Sequence, residues 1–213
     1  MNFISFSEYQ NENNIYTLRN ILVGLNIIPK NLFITTAVVA ARRVEHFLNQ
    51  QDLFYFSFVM ETVEKYLAGE LTAEKCEFTA RDYHYRSKIR FDHTSPASWA
   101  EEAAISTVLA ASCPTIHAAA HVADVARLAA TALRETQPTI TGADIFREGL
   151  PWAVVCACQI QSVLGRYDND QITRINQLSK NTQLIDYATV ILSQDGLKEE
   201  FEFLMNQYLQ NDT

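Results

Sequence analysis

Between Thr115 and Arg134 the chain reads TIHAAAHVADVARLAATALR, with alanine at 118–120, 123, 126, 129, 130 and 132. Alanine has the highest intrinsic helix propensity, and its single methyl group lets a neighbouring helix approach closely. The run therefore predicts a helix at the centre of a bundle. Only 6 Gly and 5 Pro are spread over 213 residues, so breakers are scarce and a turn-rich all-β fold is disfavoured. With 48% of its residues hydrophobic, the chain has enough apolar surface for a sizeable core.

Helical periodicity recurs along the chain. Ile15, Leu18, Leu22 and Leu25 share one face of a helix that ends before Pro29. Asn31 reads as the N-cap of a second helix running to about Gln50, with His46 late on it. Phe56, Val59, Val63 and Tyr66 pattern a third, over 53–69, that Gly69 stops. Thr72 opens a fourth, and residues 92–98 read as a loop. Ser98 with Glu101 reads as a capping box, and Ser112 ahead of Pro114 as the start of the alanine-rich helix. Thr141 with Asp144 caps another. Gly149 and Pro151 mark a kink or new start before a buried helix to Leu164. Two more helices are expected over about 169–193 and 196–209.

The expected fold is thus all-α, a multi-helix bundle of eight or nine helices with no sheet. Residues 1–14 are expected as a polar lead-in and 15–170 as the helical core domain. Residues 171–213 are expected as C-terminal helices that pack on the core or form an arm.

The formal net charge of −8 opposes general attraction to nucleic acid. One stretch runs against it. In RDYHYRSKIRFDH, Arg81, Arg86, Lys88 and Arg90 are interleaved with Tyr83, Tyr85 and Phe91. Cations for phosphates and rings for stacking make this a candidate nucleic-acid or anion site. The competing reading has arginine stems covering an aromatic helix face beside acidic neighbours. Nucleic acid is accordingly not the expected partner. The four cysteines show no C-x-x-C spacing and read as small apolar residues of a reduced core. No secretory signal is read at the start, and no apolar run approaches the roughly 20 residues of a membrane span. A cytoplasmic location and no membrane association are expected.

The sharpest chemical question is posed by His117-x3-His121-x2-Asp124. At about 100° per residue, His121 lies about 40° from His117, inside the apolar arc. Asp124 lies about 20° to the other side of His117, next to Arg127 and Arg134. Histidines at i,i+4 can reach one metal, and the aspartate would be a third ligand or would orient one of them. The alternative is a closely packed seam helix with His121 hydrogen-bonded inside it. His46, on another segment, would supply the third imidazole of a tri-histidine site. This set of His46, His117 and His121 resembles the metal-binding DinB-type four-helix proteins. That resemblance implies a metal-dependent bundle enzyme holding a divalent transition metal such as zinc or nickel; Asp124, which the helical wheel sets beside the pair, would ligate the metal or orient a histidine.

A second resemblance covers about residues 36–170. The segments ARRVEHFLNQ and FVMETVEKYLAGELTAEKC, followed by AEEAAISTVLAASCPTIHAAAHVADVARLAATAL and CACQIQSVLGRYDN, are similar to alanine-rich all-helical bacterial proteins of unknown function. Some of those are labelled immunity proteins. No site residues carry over from it. No Gly-rich phosphate loop, G-x-S-x-G elbow or H-E-x-x-H motif is present. The leading expectation is therefore a soluble, non-enzymatic protein-interaction module without a cofactor. It would be of the immunity or defence-associated kind, and its acidic surface would suit a basic protein partner. Self-association into a homo-oligomer is left open.

Overall fold

A computed structural model of the chain describes residues 4, 6–87, 94–152, 154–155 and 158–159. Eight α-helices follow one another: Phe6–Asn11 (α1), Ile15–Leu25 (α2), Lys30–Arg42 (α3), Gln50–Leu67 (α4), Ala73–Ser87 (α5), Pro96–Ser112 (α6), Thr115–Leu133 (α7) and Gly142–Gly149 (α8). A short 3-10 turn, Glu45–Phe47, separates α3 from α4. There is no strand among the described residues, and the fold is an all-α multi-helix bundle. Trp152, Val154, Val155, Cys158 and Gln159 are helical as well. The remainder of the helix expected to Leu164, and those expected over 169–193 and 196–209, lie outside the described residues.

Most helices start and stop where local chemistry says they should, with instructive exceptions. Gly69 adopts φ +78° just past α4, a left-handed conformation that costs glycine little. Thr141 and Asp144 form the expected capping box on α8. Asn31, by contrast, is not a cap: α3 starts one residue earlier behind Pro29, whose fixed φ of −62° leads into the first turn. The cap sequence reading missed is Asn49, whose side-chain oxygen accepts from the Gln51 and Asp52 amides at 2.9 and 3.1 Å. Helix α6 is capped by Ser95, which accepts from the Ser98 amide at 3.2 Å. Ser98 itself lies inside the helix. Ser112 closes α6 rather than opening α7, its hydroxyl donating to the Leu109 carbonyl at 2.9 Å.

The chain divides into two compact units. The larger comprises residues 12–23 and 29–150, and α7 is its centre, packed against α6, α3 and α8. Seven of the eight alanines that define α7 are buried; only Ala120 is half-exposed. They face further buried alanines, Ala100, Ala103, Ala104, Ala110 and Ala111 on α6 and Ala37, Ala40 and Ala41 on α3. Buried hydroxyls in this core are satisfied within their own helices. Thr36 donates to the Leu32 carbonyl and Thr107 to that of Ala103, both at 2.8 Å.

Lys30 ties three helices together. Its ammonium donates to the Ala111 carbonyl in the last turn of α6 at 2.7 Å and to the Tyr66 hydroxyl at 3.0 Å. A cation at a helix C-terminus is favoured by the macrodipole. At the other end of α3, Arg42 pairs with Glu64 of α4 at 2.8 Å and with Glu45 at 3.2 Å. Arg43 pairs with Glu148 of α8.

Among the described residues, the smaller unit takes in 4, 6–11, 24–28, 151–152, 154–155 and 158–159. Within it the Ile4 amide donates to Gln159 Oε1 at 2.7 Å, and the buried rings of Tyr9 and Trp152 lie 5.7 Å apart. The segment expected as a loose polar lead-in thus contains α1, with Tyr9 fully buried.

A Cβ placed on Gly149 would sit 2.7 Å from Thr36 Cα and 3.0 Å from its carbonyl oxygen, so α8 ends hard against the α3 backbone. Gly149→Ala is expected to lower stability by about 1–3 kcal/mol. Gly24→Ala, with open space around it, should be neutral or stabilising by up to about 1 kcal/mol. Urea unfolding monitored by circular dichroism checks both, and an unchanged midpoint for Gly149→Ala would contradict the close approach.

Candidate functional site

The histidine constellation resolves into parts. His117 lies in the first turn of α7 and is exposed; His121, one turn on, is half-buried. Asp124 accepts from the Tyr16 hydroxyl at 3.1 Å and lies 3.8 Å from the Arg127 guanidinium. Its oxygen Oδ1 thus joins α7 to α2. Burial pushes the His121 imidazole below its usual value of 6.5, with the Asp124 carboxylate acting upward and His117 downward. His121 is consequently neutral near pH 7.

His46 does not extend this set. The helix expected to carry it to Gln50 ends at Arg42, and His46 sits in the 3-10 turn, exposed, with its ring 4.1 Å from that of Phe47. Among the described residues, no three His, Cys, Asp or Glu side chains converge as a metal ion would require. His46, His117, His121 and Asp124 are therefore not brought together as one ligand set.

The basic stretch is only partly within the described residues. Arg81 is exposed on α5 and paired with Glu77 at 2.5 Å, one helical turn away. The Arg86 side chain, Lys88, Arg90 and Phe91 lie outside the described residues. Of the interleaved rings, Tyr83 is buried and therefore no stacking platform, whereas Tyr85 is 72% exposed. Cys76, on the inner face of the same helix, is fully buried. Burial raises its thiol pKa, with Lys30 acting in the opposite direction. A buried thiol held in its protonated form is a poor nucleophile.

The most distinctive surface is one the periodicity analysis passed over. Helices α4 and α5 pack on each other and on α6. The connection between them, residues 68–72, is short enough to make them antiparallel neighbours. On α4 the buried stripe runs through Phe56, Val59, Met60 and Val63, and on α5 through Cys76, Ala80 and Tyr83. Directly opposite these stripes stand Phe54, Phe58, Phe78 and Tyr85, exposed by 72, 54, 65 and 72%. Phe54 and Tyr85 both lie about 18–20 Å from the connection at 1.5 Å per residue. Phe58 and Phe78 fall between that level and the turn. The four rings therefore share the outer side of one helical hairpin. Sequence carried the signal, since Phe54 and Phe58 are an i,i+4 pair about 160° and 200° around the helix from Phe56.

Compared with family models, with curated proteins and with solved structures, the chain gives no match.

Because the His121 pKa is depressed on folding, its effect on stability has a definite sign. The contribution is fully present above the unfolded value of 6.5 and is lost as pH falls through the lower folded value. In an NMR titration His121 should show a midpoint below 6.5. Removing the neighbouring imidazole, which acts downward, with His117→Ala should move that midpoint up, and Asp124→Asn should move it further down. A midpoint at or above 6.5 in the parent chain would contradict the burial assigned to this imidazole.

Proposed function

We propose that the chain is a protein-interaction module, of the immunity or defence-associated kind that its alanine-rich pattern resembles. The observation that carries the reading is the aromatic face of α4 and α5. Four large rings, each more than half exposed on two neighbouring helices, are the kind of grouped apolar surface that marks interaction sites. Aromatic side chains bring large area at low conformational cost and are enriched among the residues that dominate binding energy. Their hairpin rests on the alanine core through α6, so the face is presented by a rigid scaffold. A rigid scaffold lowers the ordering cost of association. The tri-histidine alternative gains no support from the placement of His46, and the basic stretch loses Tyr83 as a stacking ring.

The reading is tested in the cells the chain comes from. With p-benzoylphenylalanine in place of Phe58, irradiation should give discrete protein adducts larger than the chain. The same reporter at Arg127, on the α7 surface, should not. Phe54→Ser with Phe58→Ser should abolish the adducts made from position 78. Both residues are exposed, so unfolding free energy should change by no more than about 0.5 kcal/mol. Absence of any adduct from positions 58 and 78 would sink the reading.

A further inference from the structure

We draw no further inference here: the strongest candidate, the patch of exposed rings Phe54, Phe58, Phe78 and Tyr85 on α4 and α5, belongs to the surface already described, and nothing in the structure shows what covers it.

Discussion

The close approach of α6 and α7 is the constraint on which the rest of the larger unit depends. Alanine buries little area, and one methylene-sized group contributes only about 0.8 kcal/mol on burial. A seam built from alanines therefore holds through number and proximity, with many small faces in van der Waals contact along two long helices. Ala103, Ala104, Ala110 and Ala111 on α6, and Ala118, Ala119, Ala123, Ala126 and Ala130 on α7, are at most 1% exposed. A larger side chain at any of them would force the helices apart. The same economy of volume reaches α3 and α8, where Gly149 lies against the Thr36 backbone.

A core made of small residues leaves the large ones to be sorted, and they sort in two ways. Phe33, Phe56, Phe146 and Met60 are fully buried on α3, α4 and α8. Phe54, Phe58, Phe78 and Tyr85 are exposed by more than half, and all four lie on α4 and α5. A scattered exposed phenylalanine needs no explanation, but four on the outer side of one hairpin do. Nothing in the packing of the seam calls for them there. Their position favours a role outside the fold, which is why the functional reading is placed on that hairpin.

Much of this architecture was legible in the residues, for reasons that differ by element. The alanine run identified α7 as central because propensity and size act in the same direction. Thr141 with Asp144, and Gly69 after α4, were readable because cap chemistry is local. Asn31, Ser98 and Ser112 misled for the opposite reason. Each is a good cap residue, and each gave way to a residue two or three positions away: Asn31 to Pro29 with its fixed φ, Ser98 to Ser95 just ahead of Pro96, and Ser112, which bonds back to Leu109, to Pro114. Which of two nearby positions starts the helix depends on tertiary register, and that is not a local property. The aromatic face was missed because a helical wheel rewards the stripe that faces the core and treats the opposite stripe as solvent.

The histidines show how tertiary ion pairs decide what a short motif becomes. Two imidazoles at i,i+4 on α7 provide two ligands at most, and the third must come from another element. The sequence placed it at His46 on the assumption that α3 continued past Arg43. Arg42 is held by Glu64 on α4 and Arg43 by Glu148 on α8, so consecutive guanidiniums are drawn to different helices. Burial weakens the charge on Arg42, and its hydrogen bonds to Glu64 and Glu45 more than offset this, leaving the guanidinium held above its usual pKa. The chain then turns at the fully buried Val44 and carries His46 out to the surface beside Phe47. What remains on α7 is a half-buried neutral imidazole and an aspartate that already serves Tyr16 and Arg127. In this bundle Asp124 of the alanine-rich helix is tied to α2 through Tyr16, and the large exposed rings stand on α4 and α5.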